Sequence, residues 1–361
     1  MAERRAIERI WFGEGPGASA ARLALTPLEW LFAGGVALRG ALYDAGVLAS
    51  HTPRLPAVSV GNLTVGGTGK TPVAAWIASE LAARGARPAV VLRGYGDDEP
   101  LVHQRLNPGL PVIAGADRLA GIERAAAQGA DLAVLDDAFQ HRRARRVADI
   151  VLVSADRWTR ARRLLPAGPW REPLGALRRA SLAIVTRKAC SNAEADAVGD
   201  VLREAAPALL VAICHLALGE LRRVGDAVEI AASSGKSTVA GRHEPVNPVT
   251  RLEGERVLAI SAVGDAGAFT AQLRSLGATV RAASFPDHHR FTRHEAELLA
   301  RDVREGERVV CTLKDAVKLA PLWPRAAPPL WYVSQQLFID AGRDAIEALF
   351  DALLTARHHP P

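Results

Sequence analysis

The sequence predicts an α/β protein: a P-loop NTPase-like domain on a parallel sheet, a second, smaller α/β domain, and an N-terminal amphipathic helix. Three observations predict it. From Leu55 onward, short apolar runs alternate with alanine-rich stretches of helical spacing, the pattern of a parallel sheet wrapped by helices. The run 56–60 leads directly into Gly61-Asn62-Leu63-Thr64-Val65-Gly66-Gly67-Thr68-Gly69-Lys70-Thr71-Pro72, which reads as a glycine-rich phosphate cradle between a strand and a helix. After a composition break over 223–256, strand and helix patterns resume to the C-terminus.

Taken in order, the strands fall at 57–60, 89–92, 112–114, 132–135, 150–153, 182–185 and 209–214, with helices at 72–84, 117–128, 173–179 and 193–205. The second unit has strands at 257–261, 279–283, 308–311 and 330–333, and helices at 266–276, 293–304 and 341–355. This gives an N-terminal membrane-associated helical segment (1–50), a P-loop core (51–222), a linker or hairpin (223–256) and a smaller C-terminal α/β domain (257–361). Residues 1–22 are mixed and charged rather than ordered like a secretory signal, so the chain is expected to stay in the cytosol. Residues 23–48 are apolar but broken by Glu29 and Arg39, too short a run to span a bilayer. A helix there has two readings: lying in a membrane interface with Trp30 and Phe32 on its apolar side, or packing on the protein's own core.

The chain has 361 residues, 49% hydrophobic and 23% charged, enough to bury a large core and to exclude disorder. The net charge is +6, yet the basic residues are scattered and only 5% of residues are aromatic, which argues against nucleic acid. An anionic substrate or an acidic membrane surface fits that charge as well. Cys190, Cys214 and Cys311 are far apart without C-x-x-C spacing, which favours a reducing cytoplasm over a disulfide scaffold or zinc site. Lysine is rare: Lys70, Lys188, Lys236, Lys314 and Lys318 stand against 45 basic residues in all, so each retained lysine invites inspection.

In the cradle, Gly66, Gly67 and Gly69 let backbone N–H groups turn toward an anion, with Thr68 between them. Lys70 reaches terminal phosphates and Thr71 offers a hydroxyl to Mg²⁺. The spelling departs from the strict motif, because Thr64 stands where the first glycine belongs, and the plain alternative is a Gly/Thr hairpin. The strand 132–135 delivers Asp136 and Asp137 at its C-terminal end, either as metal ligands opposite Thr71 or as a helix cap. Gln140, His141 and Arg142 follow on the same edge. Arg93-Gly94-Tyr95-Gly96-Asp97-Asp98-Glu99-Pro100 also leaves a strand there, as a place for a base or as a surface turn.

The order of these motifs resembles the tetraacyldisaccharide 4'-kinase family, the lipid A 4'-kinases, over nearly the whole chain. The resemblance is carried by Arg54-Leu55-Pro56, the loop from Ser59 to Pro72, Arg93-Gly94-Tyr95-Gly96, Asp98-Glu99-Pro100 and Asp136-Asp137-Ala138-Phe139-Gln140-His141. It continues through Leu165-Pro166-Ala167-Gly168-Pro169-Trp170-Arg171-Glu172-Pro173, Phe285-Pro286-Asp287-His288-His289 and Thr312-Leu313-Lys314-Asp315-Ala316-Val317-Lys318-Leu319.

The resemblance implies ATP-dependent, Mg²⁺-assisted phosphorylation of the 4'-hydroxyl of an acylated glucosamine disaccharide 1-phosphate, at the cytoplasmic side of the bacterial inner membrane as a peripheral protein. It implies Asp98 as the group accepting the hydroxyl proton, with His288 beside it and Lys70 on the phosphates. Arg118 and Arg171 would neutralise phosphate, Gln140 and His141 would meet the acceptor, and Glu172 would assist the metal. The sequence departs from the family in a shortened segment between Gly96 and Asp98, in Ala138 for glycine and in Leu313 for glutamate. Ala138 is expected to hold a helical φ, since a positive one would cost stability. Ser234-Gly235-Lys236-Ser237-Thr238 is a decoy: Ile230 holds the first-glycine position, and Gly241 and Pro245 interrupt any helix after it. The rival reading is a nucleotide-dependent switch binding a protein partner; it lacks a guanine-reading motif, since Thr312-Leu313-Lys314-Asp315 has the wrong spacing.

Overall fold

The apolar runs form the eleven strands of one sheet in a computed structural model that describes residues 2–94, 98–159, 161–225 and 252–358. Tyr95, Gly96, the decoy at 234–238 and most of the expected linker lie outside the described residues. The chain opens with α1 (Ala2–Phe12), α2 (Pro16–Ala24) and α3 (Thr26–Asp44). The P-loop half then runs β1 (Ala57–Asn62), α4 (Lys70–Ala83), β2 (Pro88–Leu92), α5 (Asp98–Leu106), β3 (Val112–Ala114), α6 (Arg118–Ala127), β4 (Leu132–Asp136), β5 (Ala148–Ser154), β6 (Leu182–Arg187), α7 (Asn192–Ala205) and β7 (Leu210–Arg223). A 3₁₀ turn at Leu174–Arg179 stands where a helix was expected. The second half comprises β8 (Arg256–Ser261), α8 (Ala266–Ser275), β9 (Thr279–Ser284), α9 (Arg293–Arg301), β10 (Glu307–Thr312), α10 (Leu313–Leu319), β11 (Leu330–Ala341) and α11 (Arg343–His358).

The strand order is β3-β2-β4-β1-β5-β6-β7-β11-β10-β8-β9, and every neighbour pair is parallel except β7 with β11. That pair is a long antiparallel ribbon, and the halves hang from opposite ends of it. β6 pairs with the start of β7, ending at Arg187 opposite His215, whereas β10 pairs with the start of β11, ending at Thr312 opposite Val333. Val333 in turn faces Leu221. The C-terminal edges of both half-sheets therefore point at the middle of the ribbon, six residues or about 20 Å apart at 3.3 Å per residue. Ligands of open parallel sheets bind at such edges, and here two of them face one gap.

Two helices differ from the sequence reading. The segment from Asp98, read as a possible surface turn, opens α5: acids in a first turn complement the helix dipole, and Val102 is buried in the second half's core. Thr312 caps α10 by accepting the Asp315 N–H at 3.2 Å, and Leu313, the departure from family spelling, is buried there. The C-terminal segment also departs from the expected division, because α11 returns to the first half. Its Ile346, Leu349, Phe350 and Leu353 share an apolar cluster with Val73, Ile77 and Leu81 of α4. Helix α3 lies against the protein without entering its core: none of its residues is buried, and Trp30 and Leu31 are 72% and 75% exposed. Polar links hold it instead, including Arg163 to Glu29 at 2.9 Å and Arg39 to the Gln140 carbonyl at 2.8 Å. Among the described residues, no helix is long and apolar enough to cross a membrane.

Phe350 packs edge-on to Trp76 at 5.7 Å with the Arg84 guanidinium 4.4 Å from its ring centre. Phe350→Ala should lower unfolding stability by about 3–5 kcal/mol in urea titrations, the usual cost of emptying a buried aromatic site. Trp30→Ser on exposed α3 should change it by less than about 0.5 kcal/mol.

Candidate active site

The P-loop leaves β1 beside the acidic strand β4, because Val60 pairs with Asp136. Gly69 precedes α4 at φ 85°, and a Cβ there would run into the Leu216 side chain. A glycine is needed on both counts. No side chain caps α4, so its first N–H groups are free of side-chain partners, as an anion site at a helix start requires. The loop is held from outside: Asn62 Nδ2 donates to Thr68 Oγ1 at 3.0 Å, Thr186 Oγ1 donates to the Thr68 carbonyl at 2.9 Å, and Lys188 Nζ donates to the Gly67 carbonyl at 2.7 Å. Lys188 also lies 3.4 Å from Asp265, which caps α8 of the second half. The loop, Lys188 and Asp265 line a cleft of about 870 Å³ between the halves. Lys70, Lys188, Lys314 and Lys318, every lysine among the described residues, line it.

Asp136 and Asp137 separate in role. Burial pushes the Asp136 carboxyl up, but the His103 hydrogen bond and charge, Lys70 and the Thr71 hydroxyl outweigh it and hold the group below its usual range. Its Oδ2 is 2.9 Å from His103 Nε2, and its buried Oδ1 has no partner among the described residues. A buried, ionised carboxylate with an unpartnered oxygen beside a threonine hydroxyl fits a hard divalent cation. Asp137 lies 3.7 Å from Lys70 and 3.1 Å from Arg171, and it carries φ 51°. The positive φ thus falls on Asp137, and Ala138 has none, in line with the substitution found there.

Asp98 opens α5, 7% exposed, and its Oδ2 has no hydrogen bond among the described residues. His288 Nδ1 stands 3.8 Å from that oxygen, an ion-pair distance longer than a hydrogen bond. The other ring nitrogen, Nε2, is 3.2 Å from Lys314 Nζ. An ammonium only donates, so Nε2 accepts and the ring proton sits on Nδ1, facing Asp98. Burial and then Lys314 push the His288 ring below its ordinary value, against the opposing pull of Asp287 and Asp98. His288 and Asp137 are the only non-glycine residues at positive φ among those described, and both line the cleft. Such backbone outliers gather where function fixes a side chain. Glu99, beside Asp98, is pushed up to about 7 by burial and by the Asp136 charge.

Arg118, Gln140, His141, Arg171 and Glu172 gather elsewhere, around an adjoining cavity of about 660 Å³ roofed by Phe32 and Val36 of α3. Arg171 and Asp137 line both spaces. Arg118 is 3% exposed, and burial lowers its affinity for its proton despite Asp136 and Asp137 nearby. Gln140 Nε2 donates to the Asn62 carbonyl at 2.8 Å, which braces the start of the P-loop. Burial, then Arg118 and Arg146, push the His141 ring below its ordinary value. Glu172 accepts from Arg179 at 2.6 Å and does not line the nucleotide-sized cleft. Glu172 thus lines the arginine cavity, with its buried Oε1 unpartnered among the described residues.

The family model for Tetraacyldisaccharide-1-P 4'-kinase matches residues 21–98 and 96–355. The chain belongs to this family. It is 39% identical to the Tetraacyldisaccharide 4'-kinase of Anaeromyxobacter sp. (strain Fw109-5), covering 96% of both chains. It is 34% identical to that of Syntrophus aciditrophicus (strain SB), covering 91% of this chain and 93% of the relative. The crystal structure of LpxK from Aquifex aeolicus in complex with ATP superposes with a TM-score of 0.67 at 25% identity, over 92% of this chain and 99% of that one. Within the family frame, sequence reasoning missed His103, Lys188 and Asp265. For Lys188 a signal existed in the scarcity of lysine; for His103, a helical histidine amid ordinary residues, none did.

Lys314→Met should raise the pH at which the His288 ring titrates, because a charge that lowers its proton affinity is removed. Heteronuclear NMR of the imidazole checks this. A midpoint unchanged or lowered in the variant would contradict the assigned Lys314–His288 contact.

Proposed function

We propose that the protein transfers the γ-phosphoryl group of ATP to the 4'-hydroxyl of tetraacyldisaccharide 1-phosphate, forming lipid IVA in lipid A biosynthesis. The observation that carries this reading is the shared cleft: the P-loop with Lys70 and the Asp98–His288 pair line one space between the halves. A phosphate grip facing a carboxylate with a free oxygen is an arrangement for delivering a phosphoryl group to a hydroxyl. Lys70 and the N–H groups opening α4 hold the β and γ phosphates. Asp98 Oδ2 accepts the hydroxyl proton as the sugar oxygen bonds to phosphorus and ADP leaves, while the Nδ1–H of His288 orients that carboxylate. Thr71 and Asp136 would hold Mg²⁺, with Asp137 beside them, and the ion would offset phosphate charge. Lys314 meets His288 at the ring nitrogen turned away from Asp98. A nucleotide-dependent switch would have no use for a base facing the phosphates.

The acceptor's own phosphate suits the arginine cavity, where Arg118 and Arg171 supply charge and Gln140 and His141 line the wall. Its acyl chains call for an apolar approach, and the exposed face of α3 adjoins that cavity. On this reading the protein sits peripherally on the cytoplasmic side of the bacterial inner membrane, with no nucleic-acid partner.

Incubation with ATP, Mg²⁺ and tetraacyldisaccharide 1-phosphate should add one phosphoryl mass to the lipid's distal sugar. Asp98→Ala should slow this by about 10²–10⁴-fold, the usual contribution of a positioned base, and Lys70→Ala should abolish it in a folded protein. Full turnover by either variant would sink the assignment. Replacing Leu28, Trp30 and Leu31 together by serine should release the protein from anionic vesicles in flotation assays, with circular dichroism unchanged; retention on the vesicles would remove α3 as the anchor.

A further inference from the structure

His103 is a buried titratable group at the site to which the mechanism above gives no task. It is wholly enclosed on α5, five positions after Asp98, with Nε2 2.9 Å from Oδ2 of Asp136, which is 4% exposed. A carboxylate oxygen accepts, so Nε2 carries the hydrogen and donates; Nδ1 has no partner among the described residues. The Thr71 hydroxyl lies by the same carboxylate and helps hold it below its usual range, and Oδ1 is left without a partner. Helix α5 is otherwise fixed from two other directions. Val102 enters the apolar core of the second half, and Asn107 Nδ2 donates to the Ala75 carbonyl on α4 at 2.8 Å. Of these three attachments, only that of His103 ends on a group beside the phosphate grip.

We propose that His103 is a positioning residue: its hydrogen bond occupies Oδ2 of Asp136, leaves Oδ1 for the divalent cation, and ties the helix carrying Asp98 to the metal-holding strand. Five helical residues rise about 7.5 Å, so one contact sets both the carboxylate's rotation and the distance of Asp98 from it. Partners that orient a ligating carboxylate commonly matter about 10–100-fold in metal affinity or activity. An apolar core residue would fill the space but leave Oδ2 buried and unpaired, free to rotate toward the ion. The proposal rests on reading Asp136 as the cation's holder and Asp98 as the base.

The test uses the full chain with His103→Leu and His103→Gln, since a glutamine Nε2 reaches about as far as the imidazole Nε2 and also donates. Mn²⁺ binding in the presence of ATP and absence of acceptor, read by electron paramagnetic resonance of the free ion, reports on Asp136 without turnover. The expected result is a loss of Mn²⁺ affinity of about 10-fold or more in His103→Leu, recovered to within about 3-fold in His103→Gln. With acceptor present, kcat should fall in His103→Leu and recover in His103→Gln, while the lipid KM stays put. A folded His103→Leu that binds Mn²⁺ like the parent overturns the proposal. So does a folded His103→Gln as impaired as leucine, which also decides the matter if leucine unfolds the chain. Should the parent bind Mn²⁺ with ATP but fail to phosphorylate the lipid, the assigned reaction fails while the Mn²⁺ comparison still judges His103.

Discussion

The antiparallel pairing of β7 with β11 is the constraint from which the site follows. Without it the chain would be two parallel sheets, each with its own loop edge open to solvent. The ribbon reverses one half relative to the other and offsets the two along its length, so that both loop edges converge on its middle, at Leu216, Leu218 and Gln335. The Leu216 side chain then fills the space a Cβ at Gly69 would need, and Leu218 and Gln335 line the cleft wall. A gap of about 20 Å is wide enough for a nucleoside triphosphate and the hydroxyl that receives its phosphate.

The electrostatics of that gap follow from which groups are wet and which are enclosed. Asp136, Asp98 and His103 are buried, so their contacts are made through little solvent and their geometry matters more than their number. Lys314 and Lys188 meet the cleft through specific acceptors, the His288 ring and the Gly67 carbonyl, rather than as loose surface charges. An ammonium bound to one face of an imidazole dictates the tautomer presented on the other. In this way a lysine that touches neither Asp98 nor the P-loop sets which hydrogen the base encounters. The close approach of Gly264 to Gly67, where a Cβ would lie 2.9 Å from the Gly67 nitrogen, makes the second half part of the phosphate loop's wall.

Much of this was legible in the sequence, and the parts that were not share a cause. Strands such as β1, β4 and β6 are buried on both faces, so continuous apolar runs reveal them, and the phosphate loop announces itself by glycine and lysine spacing. The helix at Asp98 was obscured because Gly94 and the following acids also spell a turn, and only burial of Val102 against the other half decides between them. The length of β7 and the return of α11 depend on pairing between residues more than a hundred positions apart, which local periodicity does not encode. Glu172 shows the reverse limit. The family spelling implies a metal role for it, and local spelling could not foresee that one oxygen meets Arg179 and that the residue lines the neighbouring cavity.

The two cavities together explain an otherwise costly N-terminus. A helix with no buried residue, exposing Leu28, Trp30, Leu31 and Leu38, is unfavourable for a protein that only meets water. Each such side chain removed from water contributes about 1.5–3 kcal/mol, so a few together would suffice for the peripheral attachment proposed above. The same helix lends Phe32 and Val36 to the roof of the arginine cavity, and Arg171 connects that cavity to the phosphate cleft. An acceptor that is apolar at one end, phosphorylated along its body and hydroxylated at the far end would meet these features in that order. A free sugar phosphate would use only the arginines, whereas an amphiphile engages the helix, the cavity and the cleft at once, and that is the physical reason to favour a lipid as the acceptor.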